Sequence, residues 1–550
     1  MEEKMQKMLG KIADSKFLRA CMIILILALG AYFRFTGLKW DEDFHLHPDE
    51  RFLTMVETSI TPIASIPEYF DTSGSSLNPH NILDINGNQT YPFFVYGDLP
   101  IFLVRYIGEW VGMTGYSEIY LVGRFLSGLF DLGTVLVVFF IANKSFKKFW
   151  LSCLAAFLYA CAVLPIQISH YFIVDNITTF FAMIAFLAAV TVLKQEEKDY
   201  SLVRPSNPFQ WITLNKKRLA PYAFFGLALG LAAASKINAL ALAVLLPAAV
   251  FLKNPKDFFK PASTGWTMRF HSMLLAAVIS FITFRIFQPY AFQGPGFFNI
   301  AINKEWVSDL QELSVLSSGI SNYPPSLQWA RRSIGFPIKN LAVWGIGIPV
   351  AIFAFSGLAW MAWKIVKGKW QKYSLIWIWT FGYAAWQAIR WNPTMRYFLL
   401  VYPTLAIMAA WCLFQACKKI NALTFFKIRP VLKRGLCVLL AVVLIGGAVG
   451  WSLAFIQIYR QPMTRIAASQ WIYDHIEGAV NLELKDGSGD FIQALPYPHD
   501  ATLNPGEAFV ITFQPKMDGK ITSLDFDYIV GEIYSSDQKT LSVNIREKGS

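Results

Sequence analysis

The chain contains many separate apolar runs, each long enough to form a helix that crosses the roughly 30 Å hydrocarbon core of a bilayer. With 55% of its 550 residues hydrophobic and only 16% charged, it has too little polar surface for a soluble globule. The sequence therefore predicts an all-α polytopic membrane protein with about eleven transmembrane helices. We place these spans at 20–36, 119–142, 149–166, 176–193, 219–234, 237–252, 272–290, 341–363, 374–389, 397–417 and 435–458.

Basic residues collect in alternate loops between these spans, beginning with the segment before the first one, and the intervening loops carry few. Cytoplasmic loops are enriched in Lys and Arg, so the N-terminus is predicted to be cytoplasmic. Eleven crossings then put the C-terminus outside the cell. This orientation in the plasma membrane accounts for the net charge of +12, and we expect the lipid bilayer rather than nucleic acid as the partner of these basic residues.

Three segments outside the predicted spans are expected to carry structure on the outer side of the membrane. The first outside loop, 37–118, contains helix-like stretches at 51–63 and 99–111, and the second, 291–338, contains one at 305–316. After a short helix at 464–472, the chain alternates in the manner of β-strands. We predict a transmembrane domain over 1–459 and a small extracytoplasmic β domain, sandwich-like, over 460–550, a pattern that would also fit a domain continuing past residue 550. Its strands are expected at 509–513, 521–528 and 540–545.

The stretch after the first span crowds acids and imidazoles against the membrane surface. Capping of a helix that starts at Pro48 would explain Asp49 and Glu50 alone. The cluster also holds Asp41, Asp43, His45 and His47, which is more than a cap needs. Carboxylates beside a bilayer cost desolvation free energy unless a partner, a metal or a substrate uses them. A functional site is therefore predicted here.

Charged residues stand at three other turns that the topology puts on the same side. Asp175 lies between two closely spaced helices, where it could also be a helix cap. Lys236 lies between two helices with almost no loop, where its ammonium group could also extend to the membrane–water interface. Arg390 and Arg396 occupy a short outside loop, and arginine binds two phosphate oxygens at once. Acids and cations on one face suit a substrate with a phosphate and an electrophilic carbon, such as a sugar on a lipid phosphate.

At these residues the chain resembles the superfamily of protein O-mannosyltransferases and lipid A aminoarabinose transferases, and in particular glycosyltransferase family 39. His170 stands where that family usually has arginine, and Tyr96-Gly97-Asp98-Leu99-Pro100 replaces its basic-Pro-Pro element. The resembling motifs run in chain order: Pro48-Asp49-Glu50-Arg51-Phe52, Gly123-Arg124-Phe125-Leu126-Ser127, Ser169-His170-Tyr171 through Asp175, Gly226 to Lys236, and Met395-Arg396-Tyr397-Phe398-Leu399 to Tyr402-Pro403.

The resemblance implies a GT-C fold and an inverting glycosyltransferase that takes its sugar from a polyprenyl-phosphate donor. Asp49 would be the general base that removes a proton from the acceptor, with Glu50 and Asp175 completing the catalytic set by orienting the base or the acceptor. The donor phosphate would be bound by Lys236, Arg396, Arg390 and His170, and His47, Asp43 and Tyr397 would contact substrate.

No cofactor is required by this scheme. A divalent metal held by His45, His47 and Asp175 is conceivable, although their spacing matches no specific ligand pattern. The transferred sugar would be a hexose or a pentose, with mannose as one candidate, and the acceptor an extracytoplasmic protein, lipid or envelope glycan.

Three alternatives remain open at the level of sequence. An oligosaccharide ligase or transferase would use a lipid-linked oligosaccharide in place of a monosaccharide. A secondary transporter would need ionisable groups near the bilayer midplane, whereas the predicted spans are nearly free of charge there. A non-catalytic scaffold for envelope assembly would act through the β domain.

Overall fold

The computed structural model describes residues 15–195, 208–258, 264–423 and 429–476, and in the C-terminal region 480–487, 489–495, 508–526 and 540–547 with isolated residues between them. The chain divides into two compact units, Met1–Arg460 and Gln461–Ser550. The first unit is built from apolar helices. The second contains a helix and a small sheet.

Eight helices in the described part of the chain are long and apolar enough to cross a membrane, or nine when the bent pair Phe149–Ala160 and Val163–Ser169 counts as one span. The predicted polytopic helical architecture is confirmed. The spans are Lys16–Phe35, Tyr116–Phe146, Asp175–Lys194, Lys216–Ser235, Thr267–Phe287, Ile348–Ala388, Met395–Ala422 and Pro430–Ile472.

The stretch Ile348–Ala388 is a helical hairpin. Its backbone leaves the helical region at Lys367 and Gly368, where Gly368 has a φ of +83°. The indole of Trp377 donates a hydrogen bond of 3.0 Å to the carbonyl of Leu358, 19 residues away, whereas a straight helix would separate these residues by about 28 Å. The predicted spans 341–363 and 374–389 are thus two separate helices, Ile348–Lys364 and Trp370–Ala388. The predicted span 237–252 is a shorter apolar helix, Ile237–Lys253.

The first large loop, 37–118, holds the helices Pro48–Ser59 and Asp98–Val111, and the second, 291–338, holds Lys304–Leu316. The expected helices at 99–111 and 305–316 are therefore confirmed, and the one expected at 51–63 begins earlier, at Pro48. Shorter helical segments in and beside these loops are Ile66–Tyr69, Pro79–Asn81, Pro289–Ala291, Pro324–Leu327, Gly335–Asn340 and Leu341–Gly345. Elsewhere in the first unit lie Pro255–Phe258 and Gln457–Tyr459.

The second unit contains the helix Thr464–His475 and one antiparallel sheet of three strands. The central strand Val480–Asp486 pairs with Gly489–Ala494 on one side and with Lys520–Phe526 on the other. The strand expected at 521–528 is confirmed over 521–526, and residues 527 and 528 lie outside the described part of the chain. The strands expected at 509–513 and 540–545 were wrong, because these residues have no strand structure. The described residues form one sheet and not the two of a sandwich.

An arginine buried in the helix Tyr116–Phe146 ties the first loop to the membrane helices. Arg124 donates hydrogen bonds to both oxygens of Asp41, at 3.0 and 2.9 Å, and to both oxygens of Glu50. All three side chains are fully buried. Glu50 also accepts a hydrogen bond of 2.6 Å from the backbone N–H of Phe172. One carboxylate thus joins the helix that carries Asp49, the span 116–146 and the turn before Asp175.

A second buried ion pair corrects the expectation that the predicted spans are nearly free of charge. Asp131, halfway along Tyr116–Phe146, pairs with Arg34 at 2.7 Å, and both side chains are fully buried. Tyr159 donates a hydrogen bond to the same carboxylate, and Arg34 donates to the carbonyl of Ala160. Each charge has fixed partners from neighbouring helices, which is the arrangement of a structural contact.

Replacing Arg124 with leucine should destabilise the protein by about 3–5 kcal/mol, because two carboxylates would stay buried without their cation. Thermal unfolding of the purified protein in detergent measures this loss. Arg51→Leu is the matched control, since Arg51 is exposed and such a change should stay within about 0.5 kcal/mol. Equal stability of the two variants would contradict the structural role of the Arg124 cluster, which is Arg124 with Asp41 and Glu50.

Candidate functional site

Asp49 occupies the first turn of the helix Pro48–Ser59, and the local sequence explains why the helix starts there. Pro48 takes the first helical position, and the ring nitrogen Nδ1 of His47 accepts a hydrogen bond of 3.3 Å from the backbone N–H of Glu50. Burial lowers the pKa of His47, which favours the neutral imidazole that this cap requires. The His47 ring also packs on Tyr171, with 4.4 Å between ring centroids.

The turn before this helix has a strained backbone. Glu42, Asp43 and His45 all have positive φ angles, of 48°, 67° and 48°, a conformation that costs free energy in residues other than glycine. The turn folds Asp41 back under Arg124, and Asp41 also accepts a hydrogen bond from the backbone N–H of Leu46. The Arg124 cluster therefore holds the strained turn, and the turn sets where the Asp49 helix begins.

Asp49 forms an ion pair with Arg396, 347 residues later in the chain. Each side chain is 26% exposed. Burial by itself raises the pKa of Asp49, but the charge and hydrogen bond of Arg396 outweigh it and leave the pKa below its usual value. The carboxylate is thus ionised at neutral pH.

Asp175 and Lys236 form a second ion pair of the same kind. The Lys236 ammonium lies 2.8 Å from Asp175 Oδ1, and the carboxylate is 8% exposed. The ammonium also lies 5.2 Å from the ring centroid of Tyr397, and the Arg396 guanidinium lies 5.8 Å from the same ring. Tyr397 therefore stands between the two cations and brings the two ion pairs together.

A cavity of about 320 Å³ opens beside these pairs. Five residues singled out in the sequence contribute to its wall: Asp175, Lys236, Arg390, Arg396 and Tyr397. Asp49 is not part of the wall and lies behind Arg396. The cavity is completed by Val95, Thr178, Thr179, Ile237, Asn238, Ala239, Leu310, Leu313, Ser314, Ser317, Tyr383, Trp386, Gln387, Asn392, Leu399 and Leu400.

The helix Lys304–Leu316 of the second large loop covers part of this cavity through Leu310 and Leu313. The same helix is fixed to the first large loop through Asp309. Asp309 accepts a hydrogen bond of 3.1 Å from the backbone N–H of Phe94 and lies 3.3 Å from Nε2 of His80. The two large loops thus meet beside the cavity. The first was expected from sequence to carry site residues, and the second was not.

Three predicted site residues point elsewhere. Glu50 is fully buried against Arg124, so its contacts are those of a structural residue. His170 places one ring nitrogen 2.8 Å from the carbonyl of Ile166 and the other 2.9 Å from that of Thr36; burial lowers its pKa to about 4, and a neutral buried imidazole is unsuited to a phosphate. Asp43 accepts a hydrogen bond from Tyr120. None of the three lines the cavity.

The proposed metal ligands do not come together. His47 caps its helix, Asp175 binds Lys236, and His45 is buried between the rings of Tyr116 and Tyr120. Among the described residues, no group of three or more His, Cys, Asp or Glu side chains could hold a metal ion. The residues of this site therefore do not fit a metal centre.

Sequence reasoning missed Tyr96, which lies beside the ion pairs. Its ring packs on Phe52 and Phe94, with centroids 6.0 and 5.9 Å away. The charges of Asp49, Arg396 and Asp175 all act on its hydroxyl. The next residue, Gly97, packs so closely on the backbone before Lys236 that a Cβ atom would lie 2.1 Å from the carbonyl oxygen of Ala234. The only signal in the sequence was the departure from the family's basic-Pro-Pro element at these positions.

Neither a protein-family model nor a curated protein sequence matches this chain. Its structure is similar to that of the Archaeoglobus fulgidus oligosaccharyltransferase in complex with Zn and sulfate, with a TM-score of 0.53 and 14% identity over 83% of this chain and 56% of the other. The same enzyme tethered to an acceptor peptide with an NVT sequon gives a TM-score of 0.52 and 15% identity over 84% and 58% of the two chains. This chain has the GT-C fold.

The GT-C fold that the sequence motifs implied is thereby confirmed. A further GT-C structure, ArnT from Cupriavidus metallidurans bound to undecaprenyl phosphate, gives a TM-score of 0.42 and 16% identity over 77% of each chain. The chain spans somewhat more than half the length of the oligosaccharyltransferase that it matches. Identities this low show a shared fold alone, so the chemistry has to be argued from the residues of the cavity.

Gly97→Ala should displace the first loop from the turn before Lys236, because the added methyl group would meet backbone atoms that cannot give way. We expect a loss of about 1–3 kcal/mol in the free energy of unfolding, measured by thermal unfolding. Gly115→Ala is a close control: both glycines precede a helix with nearly the same backbone angles, and a Cβ at Gly115 meets only a flexible carboxylate at 3.6 Å. Equal losses in both variants would contradict the close approach.

Proposed function

We propose that this protein is a multi-pass membrane glycosyltransferase that moves a sugar from a polyprenyl-phosphate donor to an acceptor, with inversion at the anomeric carbon. The observation that carries the proposal is the convergence of Lys236, Arg390 and Arg396 on one cavity, with Asp49 directly behind Arg396. Cations that can bind a phosphate thus lie next to a carboxylate that can accept a proton. The GT-C fold supports this assignment, since it is shared with an oligosaccharyltransferase.

In the proposed reaction the acceptor's hydroxyl or amine attacks the anomeric carbon from the face opposite the phosphate. The bond between that carbon and the phosphate oxygen breaks, and its electron pair leaves with the polyprenyl phosphate. The acceptor's proton passes to Asp49. Lys236, Arg390 and Arg396 stabilise the charge that grows on the leaving phosphate. A phosphate leaves without being protonated, so one catalytic carboxylate suffices, unlike the pair in glycoside hydrolysis. The acceptor can be a protein, a lipid or an envelope glycan.

The charges of the cavity favour a donor with one phosphate over a diphosphate-linked oligosaccharide. The charged residues of its wall are Lys236, Arg390, Arg396 and Asp175. Together with Asp49 they carry one net positive charge, which balances the single negative charge of a phosphodiester. After transfer Asp49 is neutral and the net charge is two positive, which balances the two negative charges of a fully ionised phosphate monoester. A diphosphate-linked donor would leave excess negative charge in both states.

The lipid part of the donor has a route from the bilayer. Two apolar helices, 237–253 and 370–388, run beside each other. At one end they are in contact, through Leu245–Lys253 and Trp370–Trp377. At the other end the cavity separates them, and its wall includes residues of Ile237–Val244 and of Tyr383–Ala388. Leu240 and Val244 are exposed on the first of these walls. We infer that the polyprenyl chain lies in this opening with its phosphate at Lys236, Arg390 and Arg396.

The distribution of basic residues supports a cytoplasmic N-terminus in the cell membrane, with the cavity and the C-terminal unit on the outer side. In this orientation Glu50 is a positioning residue that fixes the Asp49 helix, while Asp175 positions Lys236 and Tyr397 contacts the donor. His47 lies beside Asp49, where an acceptor would approach.

Asp49→Asn should abolish sugar transfer, because an amide cannot take the acceptor's proton, while expression and membrane insertion stay normal. The assay mixes purified protein with a panel of labelled polyprenyl-phosphate sugars and an envelope extract, and follows where the label goes. Glu118→Gln is the control, since this exposed carboxylate lies in the first turn of another helix. Full activity of the Asp49 variant would exclude the general-base assignment.

Lys236→Met and Arg390→Met should weaken the use of the lipid donor more than the use of the acceptor, because they remove charges that face the phosphate. The measurement is the KM for each substrate, together with direct binding of polyprenyl phosphate to the purified variants. Lys339→Met, just after the second loop and outside the cavity wall, should leave both unchanged. Unaltered binding of the lipid phosphate by the two cavity variants would count against their role.

A further inference from the structure

Arg396 stands between Asp49 and the cavity. Arg396 is part of the cavity wall and its guanidinium donates a hydrogen bond to Asp49 Oδ2, whereas Asp49 is not among the residues of the wall. An acceptor that approaches Asp49 from the cavity therefore meets the cation first. In this state the carboxylate is paired, and a paired carboxylate is a poor base.

The donor phosphate and the Asp49 carboxylate require the same guanidinium. Arginine binds a carboxylate and a phosphate through the same planar set of N–H groups. A phosphate at Lys236 and Arg390 would lie on the same wall as Arg396 and would compete with Asp49 for it. Once Arg396 turns to the phosphate, Asp49 remains partly buried without its cation.

We propose that donor binding activates the base: the phosphodiester takes Arg396 away from Asp49, and only then can Asp49 accept the acceptor's proton. This inference rests on the proposed function of the site. It makes the reaction ordered, with the donor bound first and the acceptor second. In this role Arg396 is a positioning residue that acts through Asp49.

The charged and titratable groups around Asp49 determine the direction of the effect. Burial raises the pKa of Asp49, and Arg396 is the largest of the influences that lower it. Losing Arg396 therefore raises this pKa, so Asp49 binds protons more readily when the donor binds. The other groups that act on Asp49 are His47 and Lys236, which also lower its pKa, and Tyr96. The two remaining carboxylates nearby have their own cations: Glu50 is paired with Arg124 and Asp175 with Lys236.

Proton uptake on binding tests the inference without any acceptor. The probe is the methyl ester of a polyprenyl phosphate, which carries one fixed negative charge and no sugar. It is titrated into the full-length protein in detergent at about pH 5, by calorimetry in buffers with different heats of ionisation. We expect the wild type to take up more protons than Asp49→Asn, by at most the one proton of a single carboxylate. Arg396→Gln and the double variant Arg396→Gln/Asp49→Asn should take up the same number of protons when they bind the probe.

A second readout follows from linkage. Because Asp49 competes with the phosphate for Arg396, Asp49→Asn should bind the probe more tightly than the wild type, even though it is inactive in transfer. Asp84→Asn, on an exposed turn of the first loop, is the matched control and should bind the probe as the wild type does. Repulsion between the carboxylate and the phosphate acts whether or not Arg396 changes partner. If the ion pair were merely structural, both effects would therefore persist in the Arg396→Gln background.

The outcomes separate the two proposals. If the wild type and Asp49→Asn take up the same number of protons, or if Asp49→Asn binds the probe no more tightly, the coupling is wrong and the proposed transferase function stands. If the wild type does not bind the lipid phosphodiester at all, the proposed function fails as well. Should Arg396→Gln not fold, the comparison of the wild type with Asp49→Asn decides alone.

Discussion

The contact between Arg124 and its two carboxylates is the constraint on which the candidate site depends. A guanidinium buried in a membrane helix has to be matched by nearby charge, because an uncompensated ion in that environment costs several kcal/mol. Asp41 and Glu50 supply that charge from the first large loop, and they cannot do so without bringing the neighbouring Asp49 to the same end of these helices. Glu50 also holds the backbone of Phe172, three residues before Asp175. The position of the two carboxylates nearest the cavity thus follows from one buried arginine.

The site itself is built from two ion pairs that cross the fold. Asp49 and Arg396 are 347 residues apart in the chain. Asp175 begins one membrane helix, and Lys236 follows the end of the next one. Tyr397 lies against both cations. Each pair is stable without substrate and is open to exchange with an anion, because its cation reaches the cavity wall. Such a site can hold its charges in a low-dielectric setting and still rearrange when a phosphate arrives.

Much of this arrangement could be predicted from the sequence. Apolar length predicted the helices, and charge at outer turns predicted Asp49, Asp175, Lys236, Arg390 and Arg396, since charge beside a bilayer has few structural explanations. The roles of Glu50 and His170 could not be predicted, because a catalytic and a buried structural side chain have the same letters and differ only in their partners. The contributions of Tyr96 and of the helix Lys304–Leu316 to the site were missed for a related reason. Both come to the site through tertiary packing between the two large loops, and such packing leaves no periodicity or spacing in the sequence. The short strands of the second unit were hard to predict because alternation over a few residues is a weak signal.

Asp98, next to the close-packed Gly97, adds a property of the loop as a whole. Its side chain is almost fully buried, and burial raises its pKa to about 8. The folded loop therefore retains a proton that the unfolded chain gives up above about pH 4. Folding becomes less favourable as the medium is made more alkaline between those two values, and it is unaffected by this group in stronger acid. This buried group therefore makes the loop that carries the candidate base more stable in a mildly acidic medium than in an alkaline one.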